Sequence, residues 1–101
     1  VQEKSFHEAM TANQRMLVLR ALYKDSDYTL STDMLQRFLR HFGHGLGIGE
    51  INQLVSHLEK RDYVSVERLG EVVIVKLTRA GQDVAEGNVT ADGIDRPSLE
   101  N

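Results

Sequence analysis

Four histidines and a close-set run of glycines hold the few spacings in this chain that could support catalysis or metal binding. His41-Phe42-Gly43-His44 sets two imidazoles around a two-residue spacer, which could chelate a metal with Glu50 or His57 as a further ligand. A zinc site needs three or four converging ligands, and the helix here is predicted to end between the two histidines. The plainer reading is a polar helix end, where a protonated His41 favours the C-terminal dipole. Ser5, His7 and Glu8 have the residue types of a triad but the spacing of a capping box, and no Gly-x-Ser-x-Gly elbow is present. The glycines at 43, 45, 47 and 49 are not followed by Gly-Lys-Ser/Thr, and they lack the preceding strand and the spacing of a dinucleotide site. No cysteine is present, which removes thiolate chemistry and disulfides. The expectation is no enzyme, no cofactor and no metal.

The polar side chains over 52–60 suggest a different chemistry. Asn52 and Gln53 carry amides that match an adenine edge, Ser56 and His57 could reach bases or phosphates, and Lys60 could meet guanine or the backbone of double-stranded DNA. Arg37, Arg40, Arg61 and Arg68 are candidate phosphate contacts. Each position also reads as part of an ordinary solvated face. Glu50, Glu59, Glu67 and Glu71 lie among them, and carboxylates repel phosphates.

These side chains depend on the elements that hold them. Met16, Leu17, Val18, Leu19, Ala21, Leu22 and Tyr23 leave only Arg20 and Lys24 clearly polar, which predicts a mostly buried first helix over about 12–24. Ser5-x-x-Glu8 and Thr11-x-x-Gln14 both fit its start as capping boxes, and the second is favoured. Ser31 is expected to cap a second helix in which Leu35, Phe38, Leu39 and Phe42 form one buried stripe, with both phenylalanines in the core. Gly43 takes the left-handed cap position, and a glycine-rich turn leads to a third helix over about 49–61 that turns Ile51, Leu54, Val55 and Leu58 inward. Alternation over 63–67, a turn at Leu69-Gly70 and the apolar run over 72–77 predict a hairpin. Thr78 then caps a short helix that stops at Gly87.

The 101 residues, 41% of them apolar, suffice for one domain with one core. The longest apolar runs fall far short of the roughly 20 residues of a membrane helix. The first residues lack the layout of a signal peptide, so a cytoplasmic location is expected. The net charge of −3 is segregated, +1 over 1–80 and −4 over 81–101, so the acidity belongs mainly to the C-terminal part, and an irregular tail is expected over 88–101.

Leu58-Glu59-Lys60-Arg61-Asp62-Tyr63-Val64 resembles the passage from recognition helix into wing in winged-helix DNA-binding proteins. Leu77-Thr78-Arg79-Ala80-Gly81-Gln82-Asp83-Val84-Ala85 resembles the exit from the wing. Asn13-Gln14-Arg15-Met16, Phe42-Gly43-His44 and Gly93-Ile94-Asp95-Arg96-Pro97 are similar to segments of small winged-helix proteins from Mu-like phages and prophages. The resemblance spans about 11–87, leaving 1–10 as an N-terminal extension. It implies an α+β fold, with a three-helix helix-turn-helix core followed by a β-hairpin wing and a short C-terminal helix. It also implies a DNA-binding transcriptional regulator that reads the major groove with the helix at about 49–61. The alternative is a winged-helix adaptor that binds protein in phage assembly or DNA packaging. Asp62 departs from the family's glycine at the helix-to-wing corner, and the segment over 45–49 is longer than a tight turn. A module this small is expected to work as a homodimer, paired through the first helix and the helix over 78–86.

Overall fold

The computed structural model describes residues 3–97. In chain order the elements are α1 (Glu3–Lys24), β1 (Thr29–Ser31), α2 (Thr32–His41), α3 (Ile48–Lys60), β2 (Val64–Leu69), β3 (Val72–Leu77) and α4 (Arg79–Ala85). The three strands form one antiparallel sheet in the order β1-β3-β2, so the chain leaves β1, makes two helices and returns to pair on the far side of the hairpin. The fold is α+β, with the helices packed over one face of a small sheet. No helix among the described residues is long and apolar enough to cross a membrane.

The core forms around α1. Met16, Leu17, Val18, Leu19, Ala21 and Leu22 are all buried, as expected for a helix that is apolar on every side. They meet Leu35 and Leu39 of α2, Ile51, Leu54, Val55 and Leu58 of α3, Val64, Val75 and Leu77 of the hairpin, and Val84 and Ala85 of α4. The start of α1 differs from expectation. It is helical from Glu3, and both capping boxes lie inside it, so the predicted extension over 1–10 is helical from residue 3. The stretch before Ala12 contains neither glycine nor proline, and extending an existing helix adds one hydrogen bond per residue fixed.

Helix α2 begins as predicted, with the Ser31 hydroxyl accepting from the Met34 amide at 3.2 Å. It ends on Gly43 at φ +90, with the amides of Gly43 and His44 donating to the carbonyls of Arg40 and Leu39. Its apolar stripe is only partly buried. Leu35 and Leu39 are fully inside, whereas Phe38 is half-buried and Phe42 is 41% exposed. Phe42 occupies the cap at the end of α2, and its ring packs on Phe38 at 4.9 Å between centroids.

The corner between α3 and the hairpin is the most tightly specified junction. Asp62 adopts the left-handed conformation at φ +64, and the amides of Asp62 and Tyr63 donate to the carbonyls of Glu59 and Leu58. The Thr78 hydroxyl donates to the Asp62 carbonyl at 2.6 Å and accepts from the Gly81 amide at 3.0 Å, so it caps α4 while holding the end of α3. The Thr78 amide donates to the Tyr63 carbonyl at 3.1 Å. The two sequence segments singled out above as junction and exit therefore bond to each other.

Helix α4 lies against α1. Arg20 donates to the Ala85 carbonyl at 3.4 Å, and the Tyr23 hydroxyl donates to Glu86 at 2.9 Å. The two helices expected to carry the pairing between copies therefore contact each other within one chain, where Val84 and Ala85 are buried against the core around α1. The segment over 86–97 is irregular as expected, yet it is docked: Ile94 is 8% exposed and the Asp95 amide donates to the Ala12 carbonyl at 3.1 Å. The rest of the predicted tail, 98–101, lies outside the described residues.

Two substitutions test the corner. A Cβ at Gly81 would fall onto the Tyr63 carbonyl oxygen, so Gly81→Ala should lower unfolding stability by about 3 kcal/mol in a urea titration. Asp62→Gly relieves a left-handed non-glycine residue while keeping the carbonyl that Thr78 needs, and should raise stability by about 1 kcal/mol.

Candidate nucleic-acid interface

Ile51, Leu54, Val55 and Leu58 anchor α3 inward. The period of the helix then fixes what faces out: Asn52, Gln53 and Lys60 are exposed, and Ser56 and His57 are half-buried at the margins. At its N-terminus the Gly47 amide donates to the Glu50 carboxylate at 2.9 Å, so this carboxylate also serves the helix start. The long turn before α3 is held by Gln36 Nε2 donating to the Leu46 carbonyl at 2.9 Å, and by the Gln14 amide bonded to His44 Nδ1 at 3.1 Å. His44 thus faces α1, while His41 lies edge-on to Phe42. Among the described residues, no group of three or more His, Asp or Glu side chains could hold a metal ion.

Toward the end of α3 the structure gathers positive charge. Arg15 of α1 comes beside His57 and Arg61, and Lys60 lies near His57, one turn further along α3. Burial pushes the His57 imidazole below its ordinary range, and the charges of Arg15, Arg61 and Lys60 push it the same way. Arg61 Nε donates to His57 Nε2 at 2.9 Å, which requires a neutral imidazole with its proton on Nδ1. Arg15 is lowered as well, first by burial and then by Arg61. One Arg15 nitrogen donates to the Gly93 carbonyl at 2.9 Å, and its buried Nε has no hydrogen-bond partner. Glu8 and Glu50 line the clefts on either side of Arg15 without forming an ion pair with it. Burial and the Arg61 charge disfavour the Arg15 cation, and an anion beside it would supply the missing counter-charge.

Arg15 was not legible as a site residue. It sits in an apolar helix, and its neighbours His57, Arg61 and the Gly93 carbonyl all lie more than forty residues away along the chain. The other candidates divide. Arg40 is exposed in the last turn of α2. Arg37 instead lines a groove with Lys24 and His41 that includes no residue of α3. Arg68 reaches Glu59 at 3.9 Å, a largely exposed pair in which the carboxylate partly neutralises the one hairpin cation expected to meet phosphate.

No family model matches the chain. It is 32% identical over 91 residues to a protein of Escherichia phage Mu described as uncharacterized protein gp26, an alignment covering 90% of this chain and 94% of that one. This likeness runs through α1, the long turn, α3 and the hairpin alike, and the chain belongs to the family of the phage Mu protein gp26.

Proposed function

We propose that this protein is a winged-helix DNA-binding protein, acting as a transcriptional regulator, that lays the outer face of α3 in the major groove. The observation that carries the reading is the placement of α3. Four inward apolar anchors leave Asn52, Gln53 and Lys60 exposed, beside a cationic cluster without an ion-paired carboxylate. The order of elements supports it, since α2 and α3 sit between β1 and the hairpin and β1 pairs with β3. In this reading Asn52 and Gln53 face base edges, while Arg15, Lys60 and Arg61 meet phosphates, with Arg40 near the start of the contacted groove. The carboxylates Glu50 and Glu59 on α3, with Glu67 and Glu71 on the hairpin, favour a second reading, a protein-docking adaptor of phage assembly or DNA packaging.

The readings differ in salt dependence. DNA affinity should fall steeply with rising salt, and Arg15→Ala, Lys60→Ala and Arg61→Ala should each reduce the logarithmic slope by about one unit. Gln53→Ala should relax base preference at one position by about 1 to 3 kcal/mol, measured by competition between sites. Failure of the folded protein to bind a pool of DNA sequences at low salt would remove the DNA reading and leave the adaptor.

The site also predicts a pH dependence. In the free protein His57 is held neutral by burial and by Arg15, Lys60 and Arg61, and a phosphate among them supplies the missing counter-charge. The bound-state pKa of His57 is therefore above the free-state one, so binding takes up a proton. Affinity should rise by up to about tenfold per pH unit as pH falls through the interval between those two values. His57→Gln should flatten this dependence, and an unchanged profile in that variant would exclude His57 from the contact.

A further inference from the structure

Two apolar surfaces have no part in the α3 interface. The first is an open groove of about 400 Å³ between the end of α1, β1 and α2. Its lining includes Ala21, Leu30, Met34 and Phe38, and Met34 is 47% exposed. Met34, Phe38 and Phe42 follow one another at four-residue intervals along α2, so the apolar stripe continues past the groove to the exposed Phe42 ring. Lys24, Arg37 and His41 form the rim. Asp25 also lines the groove, but its carboxylate already accepts from the amides of Asp27 and Thr29 at 3.0 and 3.2 Å. Lys24 and Arg37 against the single carboxylate of Asp25 leave the groove net positive.

The second surface is the tip of the β2–β3 hairpin. Leu69 and Val72 are directly paired across the turn and are 56% and 51% exposed. Strand alternation puts Glu67 on the same outer face as Leu69, and Glu71 stands in the turn itself. Arg68 points to the opposite face, where it meets Glu59. The tip is therefore apolar and negative. A phosphate-binding wing would need the reverse charge, so the tip is unexplained by DNA contact.

We propose that the chain self-associates by seating the hairpin tip of one copy in the α1–α2 groove of another. Leu69 and Val72 cover the apolar floor, Glu67 and Glu71 face the Lys24 and Arg37 rim, and Met34 supplies an adaptable side chain at the contact. Reciprocal exchange closes a two-fold dimer, because each copy owns one tip and one groove. The exposed Phe6 and Met10 of α1 are a competing apolar surface, which a Phe6→Glu variant separates from the groove.

Charge reversal tests this by sedimentation velocity on the full chain at about 1 to 200 μM, the range in which a contact of this size is measurable. The unaltered protein should approach twice its monomer mass. Lys24→Glu with Arg37→Glu should give a monomer by setting a negative groove against a negative tip. Glu67→Lys with Glu71→Lys should do the same with both surfaces positive. An equimolar mixture of the two variants should associate again, since every tip then meets a groove of opposite charge. All four positions are at the surface, and thermal melts should match the unaltered protein. Leu69→Glu should weaken association at least about tenfold through the apolar contact alone. A monomer at every concentration would overturn the proposal, as would a mixture that stays monomeric, or an association that survives Leu69→Glu and is lost in Phe6→Glu.

Discussion

Seven residues of one helix, 16–22, are surrounded by α2, α3, α4 and the sheet, and only Arg20 among them keeps contact with water. A domain of this length has few apolar side chains to bury, so concentrating them on one rod that every other helix touches is an economical way to make a single core. The arrangement also has a functional consequence. Because α3 presses Ile51, Leu54, Val55 and Leu58 onto that rod, its rotation about its own axis is fixed, and so is the set of side chains it shows to solvent. A change in the packing of α1 would turn the whole candidate interface.

The position of the hairpin follows from a second constraint at the other end of α3. Thr78 bonds to the Asp62 carbonyl and the Gly81 amide, and its own amide bonds to the Tyr63 carbonyl, tying the start of β2 to the end of β3 and to the first turn of α4. Gly81 is required by the closeness of this approach, since a side chain there would collide with the Tyr63 carbonyl. Helix and hairpin are held as one rigid unit, so charge on one is set at a fixed place relative to charge on the other. Here that brings Glu59 to Arg68, while Arg15, Arg61 and Lys60 lie around His57.

A protein with a net charge of −3 thus carries an uncompensated positive site. The segment over 91–95 is part of the reason. It brings a backbone carbonyl to Arg15 and an apolar anchor, Ile94, to the core, while Asp92 and Asp95 remain exposed. The acidic C-terminal segment is thereby docked against α1 beside Arg15.

Local pattern was enough to read the elements from α2 onward. Ser31, Gly43 and Thr78 are start and stop signals whose chemistry acts over a few residues, and the inward face of α3 follows from helical spacing alone. Local pattern could not place the start of α1, because two capping boxes compete with a stretch that also propagates helix well. It also misread Phe42, since a stripe at i, i+3, i+4 and i+7 says which side of a helix is apolar but not how far the opposing surface extends. By itself the sequence determined which residues share a face, because that depends on backbone period and side-chain size. Only the tertiary structure decided which faces meet: that α4 covers α1 within the chain, that Arg37 joins a groove away from α3, and that Arg15 joins His57 and Arg61 across more than forty residues of chain. Those meetings depend on long-range packing, where many elements compete to bury the same surface, and no short window of residues contains that competition.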